Sequence, residues 1–156
     1  MATESTVIAS NYNRNGYYFP IDAINSDQAL VYRSQFEAVE REYKGKDPDF
    51  DALVFGHANM VLPFIDEITR FPTILNPVRA ILGPDVMVWG ANLFIKEPHS
   101  PDYVSWHQDL TYWGLDDEDE VTAWVALSPA TVQSGCMRYV PGTHTREIVS
   151  HRDTFD

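Results

Sequence analysis

The first half of the chain shows the spacing of apolar side chains that is typical of amphipathic helices. The clearest case follows the capping candidates Asn25 and Ser26, where apolar residues recur in steps of about three and four until Gly45. These residues are Ala29, Tyr32, Phe36, Val39 and Tyr43. The spacing predicts a helix that ends near Gly45 and packs one apolar face into the protein core.

Two further helices are predicted before the pattern changes. One covers about residues 62–70, and the other covers about residues 72–82, where Gly83-Pro84 stops it. We expect a break in the second of these helices at Asn76-Pro77, because proline disfavours the helical conformation in the residue before it. We interpret all of these helices as scaffold.

From Val86 onward the period changes to two, as in a β-strand. One face of this predicted strand is wholly apolar and consists of Met87, Trp89, Ala91, Leu93 and Ile95. The opposite face is mixed and contains Asn92 and Lys96. If the mixed face lines the inside of a barrel, these two residues are candidates to bind a polar ligand; the alternative is that the face is solvated.

Later segments also predict strands. They lie around Trp106, at residues 121–127 and at residues 136–140, which close on the turn Pro141-Gly142. The acidic block at residues 116–120 lacks the glycine and the last glutamate of a calcium loop, so we interpret it as a solvated hairpin connection. Together the patterns predict one domain over residues 1–156, mainly β (α+β), with helices in about 20–85 and strands in about 86–156.

Composition and charge restrict the partners. The chain has 156 residues, of which 44% are hydrophobic, so it can bury a single core. Its 11 Lys and Arg against 23 Asp and Glu give a net charge of −12, which disfavours nucleic acid and anionic membranes. No apolar run is long enough to span a bilayer, and the polar start lacks a secretion signal. The single cysteine, Cys136, fits a reducing compartment, so we expect a cytoplasmic protein.

The strongest candidate for chemistry is the segment Trp106-His107-Gln108-Asp109. On a strand, residues i and i+2 point to the same face, so His107 and Asp109 can bind one metal ion from one side. A histidine and a carboxylate are two of the three ligands in the 2-His-1-carboxylate arrangement of non-heme Fe(II). The third ligand must come from elsewhere.

Spacing alone does not single out this pair, because His151-Arg152-Asp153 repeats it. The contexts differ, since β-branched and aromatic residues surround His107, whereas polar residues surround His151. We therefore predict the metal site at His107 and Asp109. For both pairs the alternative is a surface histidine that is hydrogen-bonded to a nearby aspartate. The lone histidines are interpreted as structural; they are His57, His99 and His144.

Several segments occur together in a characteristic order. They are residues 92–98, 106–109, 112–114, 121–124 and 135–144, with Gly16-Tyr17 and residues 82–84 upstream. In this order and spacing they resemble the phytanoyl-CoA dioxygenase family of Fe(II)- and 2-oxoglutarate-dependent oxygenases. The resemblance covers most of the chain from about Gly16 onward.

The resemblance implies a double-stranded β-helix, or jelly-roll barrel, and a hydroxylase of a small organic substrate that uses Fe(II), 2-oxoglutarate and O2. It implies that His107 and Asp109 bind the iron. It implies that three residues face 2-oxoglutarate, namely Asn92, Tyr112 and Trp124, and that three more line the substrate pocket, namely Lys96, Trp106 and Trp113. It also implies that His144 is a structural histidine of the turn.

The chain departs from the family in one respect. Family members carry a distal iron-binding histidine and a 2-oxoglutarate-binding arginine on strands well beyond the Pro141-Gly142 turn. Neither has a counterpart here, because His151 and Arg152 lie too close to the turn. The resemblance therefore implies an N-terminal portion of a dioxygenase, with the last jelly-roll strands missing, and we expect it to be inactive alone.

Two other functions remain open. One is a binding or regulatory module that keeps the jelly roll without the chemistry. The other is a cupin-type metal hydrolase or isomerase that uses His107, Asp109 and His144 with zinc or manganese. The oligomeric state and the identity of the substrate are left open by the sequence.

Overall fold

The computed structural model describes residues 3–150, with Leu53 and Phe55 described by their backbone alone. In this part of the chain the helices are α1 (Glu4–Asn15), α2 (Ser26–Tyr43), α3 (Phe50–Val61), α4 (Pro63–Thr69), α5 (Pro72–Leu82) and α6 (Leu110–Trp113). The other described residues run in turns and extended segments, without a β-strand. Among the described helices, none combines the length and the apolar character that a membrane span requires.

Helix α2 begins where its capping residue predicts. The Asn25 side chain accepts a hydrogen bond from the Gln28 backbone N–H at 2.9 Å, and the Gln28 side chain accepts one from the Asn25 backbone N–H at 3.0 Å. This capping box satisfies two of the backbone donors that a helix start leaves without a partner, and such a cap typically contributes about 1 kcal/mol. The predicted N-terminus of α2 is confirmed, and the helix ends at Tyr43, close to the predicted Gly45.

Helix α5 corrects one prediction. The break expected at Asn76-Pro77 is wrong, since α5 continues from Pro72 to Leu82 with Pro77 inside it. A proline inside a helix costs about 3 kcal/mol through its missing N–H and its ring. Burial offsets this cost, because α5 packs against α1 and places Ile74 in the core.

The buried core lies among helices α2 to α5. Its members are Tyr32, Phe36, Phe50, Val54, Ala58, Leu62, Ile65, Ile68 and Ile74. The second half of the chain contributes two alternating pairs to its edge, Ala91 with Leu93 and Val125 with Leu127. Only part of the predicted apolar face packs, because Met87 is 84% exposed and Trp89 is 55% exposed.

A break in helix α3 ties the two halves of the chain together. His57 has φ −144° and ψ 39°, which interrupts the helix. An unbroken helix would join the Ala58 N–H to the Val54 carbonyl. Instead, the Ala58 N–H donates to the Ala91 carbonyl at 2.9 Å, and the Val54 carbonyl accepts from the Leu93 N–H at 3.3 Å. Residues 91–93 thus take both groups that the break releases.

The same junction explains a glycine at position 90. The Asn59 side chain accepts a hydrogen bond from the Ala91 N–H at 3.0 Å, so the backbone of this segment lies directly against α3. A Cβ on Gly90 would come within 2.7 Å of the Gly56 carbonyl oxygen. Since that oxygen belongs to the backbone of α3, a side chain at position 90 would force the two segments apart.

We therefore expect Gly90→Ala to destabilise the protein by about 1–3 kcal/mol, the usual range for overpacking. Gly56→Ala is the matched control, because a Cβ at Gly56 meets nothing within 4 Å and alanine favours helix. The measurement is the urea midpoint by far-ultraviolet circular dichroism. Equal midpoints for the two variants would contradict the proposed close approach.

A second junction joins the C-terminal end of α1 to the turn at residues 139–144. The Gly142 N–H donates to the Asn15 carbonyl at 2.8 Å, and His144 Nε2 donates to the Asn13 carbonyl at 3.2 Å. The Tyr12 ring meets the His144 ring edge-on at 6.2 Å between centroids. Helix α1, which also packs against α5, therefore holds this distant turn in place.

Gly16 makes this second junction sterically possible. It has φ +81°, and a Cβ there would come within 2.6 Å of His144 Nδ1. Gly45 has a similar φ of +72°, but a Cβ there meets nothing within 4 Å. A side chain at either glycine would therefore have an unfavourable left-handed backbone. Only a side chain at Gly16 would also clash with His144.

We expect Gly16→Ala to lower the free energy of unfolding by at least about 1 kcal/mol more than Gly45→Ala does, because only the first adds overpacking to the backbone cost. Urea denaturation of both variants measures the difference. Adding His144→Ala to the Gly16 variant should recover part of the loss, since it removes the ring that clashes. No difference between the two alanine variants would show that the ring is free to move aside.

Candidate metal centre

The segment with His107 and Asp109 is built as the entry to a short helix. Asp109 is the N-terminal cap residue of α6, with φ −59° and ψ −41°, and its carbonyl accepts a hydrogen bond from the Tyr112 N–H at 2.9 Å. The two side chains therefore meet across a turn, whereas the strand argument placed them on one face of an extended chain. The two side chains are close together as predicted, but a turn rather than a strand brings them together.

The two side chains face each other directly. His107 Nε2 lies 3.0 Å from Asp109 Oδ1, and the side chains are 33% and 47% exposed. On the other side of the ring, Nδ1 lies 2.8 Å from the Ser105 carbonyl oxygen. Since a carbonyl only accepts, Nδ1 carries the hydrogen, and Nε2 of the neutral ring then offers a lone pair. A lone pair and a carboxylate oxygen at this distance repel unless a proton or a cation lies between them.

The distance also fits two ligands of one metal ion. Ligands at about 2.1 Å from a metal, placed at a right angle, lie about 3.0 Å apart. The Ser105 carbonyl supplies the second partner that metal-binding imidazoles usually have on their other nitrogen. Within residues 3–150 no third His, Cys, Asp or Glu joins this pair to complete a metal-binding group.

Aromatic side chains surround the pair. The Tyr112 ring on α6 lies edge-on to the His107 ring, with centroids 6.0 Å apart. The Trp106 side chain is exposed and carries the Arg138 guanidinium 5.9 Å from its ring centroid, while Trp113 is half-buried on α6. The Gln108 side chain accepts a hydrogen bond from the Val149 N–H at 2.9 Å, which ties a later segment to this site.

In the described structure, no hydrogen bond or ion pair joins the pair to Lys96, Asn92 or Trp124. Lys96 Nζ donates to the Gly135 carbonyl at 3.0 Å. Asn92 and Trp124 are exposed, and in the described structure neither forms a hydrogen bond with His107 or Asp109. The His151 and Asp153 pair lies outside the described residues. Among Asn92, Tyr112 and Trp124, Tyr112 is the one with a ring contact to a candidate ligand in the described structure.

His144 lies on the α1 junction. Its Nε2 is bonded to the Asn13 carbonyl, and its ring packs on Tyr12 and against Gly16. This arrangement agrees with a structural histidine, and within residues 3–150 it forms no metal-binding group with His107 and Asp109.

The structure adds an acidic residue that sequence reasoning placed in solvent. Residues 116–119 are exposed as predicted, but Glu120 is half-buried, and its Oε2 is out of solvent without a hydrogen-bond partner among the described residues. Burial raises the pKa of the Glu120 carboxyl above its usual value, and the negative charge of Asp109 raises it further. In the sequence, the feature that could indicate this burial is the position of Glu120 at the end of the acidic block, beside the apolar segment 121–127.

The negative charge of Asp109 also affects the pKa values of two tyrosines. Burial raises the pKa of Tyr12, and the charges of Glu120, Tyr139 and Asp109 add to the effect. Burial also raises the pKa of Tyr139, followed by the charge of Asp109. The charge of Asp109 thus contributes to the raised pKa values of Tyr12, Tyr139 and Glu120.

We expect Glu120→Gln to stabilise the metal-free protein by about 0.5–1 kcal/mol at pH 7, because it removes a carboxylate whose ionisation burial disfavours. Because the folded-state pKa is raised, this gain should appear only as pH rises above the ordinary glutamate value of about 4.3 and vanish below it. Urea midpoints across pH measure it. Glu118→Gln, at an exposed position, is the control, and an equal gain there would contradict the local origin.

Comparison with known proteins assigns the chain to a family. The sequence profile described as phytanoyl-CoA dioxygenase (PhyH) matches residues 12–156. The chain belongs to the phytanoyl-CoA dioxygenase family. The resemblance seen in the sequence is thereby confirmed, and family members are named as dioxygenases. No solved structure matches the chain.

Three relatives show how much of the chain the similarity covers. A mouse phytanoyl-CoA dioxygenase domain-containing protein 1 is 34% identical over 55% of this chain and 30% of its own length. A probable alpha-ketoglutarate-dependent hypophosphite dioxygenase of Stutzerimonas stutzeri is 27% identical over 57% of the chain and 31% of its length. A probable phytanoyl-CoA dioxygenase of Caenorhabditis elegans is 29% identical over 90% and 53%. The chain thus spans about a third to a half of these relatives.

Proposed function

We propose that this chain carries two iron ligands of an Fe(II)- and 2-oxoglutarate-dependent oxygenase that hydroxylates a small organic substrate. The observation that carries the proposal is the His107 Nε2 to Asp109 Oδ1 distance of 3.0 Å, with the opposite ring nitrogen held by Ser105. Family membership supports it, as does the relative named as alpha-ketoglutarate-dependent.

The residues present fit this metal in two positions. Imidazole nitrogen and carboxylate oxygen are the donors that non-heme Fe(II) sites use, and those sites keep open positions for cosubstrate. When bound, the iron with 2-oxoglutarate and O2 supplies the oxidation of a C–H bond. A third protein ligand has to come from a residue that does not lie beside His107 and Asp109 in the described structure.

The chain itself orients the candidate ligands. The Ser105 carbonyl keeps the hydrogen on Nδ1, so the Nε2 lone pair is directed at the site. The Tyr112 ring packs against the His107 ring and limits its rotation. We keep Tyr112, Asn92 and Trp124 as proposed 2-oxoglutarate contacts, and Lys96, Trp106 and Trp113 as proposed substrate contacts, on the family resemblance.

We also propose that residues from about 86 onward belong to a jelly-roll barrel. The alternation of Ala91 with Leu93 and of Val125 with Leu127 against the helical core supports extended segments that present one face inward. The exposed apolar side chains of the same region are what strands without sheet neighbours display, and they include Met87, Trp89 and Phe94. A cytoplasmic location stays a prediction from the single cysteine.

The test is Fe(II) binding measured by anaerobic equilibrium dialysis on the full 156-residue chain. We expect His107→Ala and Asp109→Asn each to weaken binding by at least about tenfold, because each removes a donor from a site that has few. His144→Ala should bind iron like the parent protein. Unchanged binding in the first two variants would overturn the proposal, and loss of binding in the His144 variant would favour the cupin-type alternative.

A further inference from the structure

The basic residues in the second half of the chain have an unusual environment. Residues 84–150 contain ten Asp and Glu but only three basic residues, Lys96, Arg138 and Arg146. The ion pairs of the described structure use Arg33, Lys44, Arg70 and His107, and none of these three. An exposed cation in so acidic a segment normally finds a carboxylate, so the lack of one points to another use.

Arg138 has the most defined position of the three. Its guanidinium lies 5.9 Å from the ring centroid of Trp106, and Trp106 immediately precedes the candidate ligand His107. Lys96 is already bound to the Gly135 carbonyl, and Arg146 has no ring contact in the described structure. Of the three, Arg138 is therefore the cation that the fold holds against the residue preceding His107.

A cation–π contact leaves the N–H groups of the arginine available. A guanidinium held over an aromatic face directs its N–H groups outward in its own plane, where they match the two oxygens of a carboxylate or phosphate. The contact also limits the rotamers of a side chain that is otherwise flexible, so less entropy is lost when an anion binds. In a protein with a net charge of −12, an anionic ligand needs such a local cation to approach.

We propose that Arg138, held against Trp106 by a cation–π contact, is a specificity-determining residue that binds an oxyanion of the organic substrate, a carboxylate or a phosphate group, next to the segment that carries His107 and Asp109. This inference rests on the proposed oxygenase function and deepens it by naming the class of substrate. It assigns to Arg138 no part in metal binding.

The test uses the full chain without metal, labelled with 15N in the tryptophan indoles, and follows the Trp106 indole N–H, assigned with Trp106→Phe. Inorganic phosphate and acetate are titrated separately at ionic strength held constant with NaCl. We expect a saturable shift of the Trp106 signal with one or both anions and little change at the exposed Trp89. A response to phosphate alone or to acetate alone identifies which oxyanion the residue prefers.

Matched variants give the decisive comparison. Arg138→Gln should weaken the anion affinity by about tenfold or more, the effect of losing a charge-assisted hydrogen-bond pair. Arg146→Gln, which removes the same charge nearby in sequence, should leave it unchanged. Arg138→Lys keeps the charge but loses the planar fork and should bind several-fold more weakly, which covers the case in which the glutamine variant does not fold.

The proposal is overturned if NaCl alone moves the Trp106 signal as phosphate and acetate do, or if the Arg138 variants bind like the parent protein. Because this titration contains no metal, its failure leaves the iron-binding result of the His107 and Asp109 variants intact. Failure of iron binding, in turn, does not alter what the Trp106 signal reports.

Discussion

At His57, helix α3 lacks one of its own backbone hydrogen bonds. The two backbone groups that this break leaves without a helical partner form hydrogen bonds with residues 91–93 instead. Both groups lie beside the core, since Val54 is 3% exposed and Ala58 is 0% exposed. Left without partners there, each would cost about 1–3 kcal/mol. The helical half therefore needs the second half to complete its hydrogen bonding, and the second half obtains its anchor from the same exchange.

The sequence predicts best the helix whose start signal and apolar spacing lie within its own residues. Helix α2 carries a regular apolar stripe and a reciprocal cap at Asn25, so its start was readable from the sequence. Helix α1 buries only Ile8, and its position comes from α5 and from the turn at residues 139–144. The sequence rule for proline also fails at Pro77, because burial of α5 outweighs the free-energy cost of a proline inside a helix. Period-two alternation identified Ala91 and Leu93 as inward-facing, but it does not specify which neighbours cover the remaining positions.

At the candidate centre, residue type was a better guide than conformation. His107 and Asp109 were chosen for their donor atoms, and they are adjacent, although a turn into α6 rather than a strand brings them together. Glu120 and Tyr12 could not be identified this way, because the electrostatic effect of Asp109 on them depends on how separate segments of the chain fold together. The order of motifs along the chain carried the family assignment, since it combines many weak signals that no single pair provides.

The contact between His144 and Asn13 spans 131 positions of the chain. Closing so long a loop costs entropy that grows only with the logarithm of its length, so the price in stability is modest, but contacts of such separation form slowly. During synthesis α1 is made before the turn that it binds, and more than a hundred further residues must be added before that turn exists. The contact that fixes the C-terminal end of α1 can therefore form only after every residue of the helical core has been made.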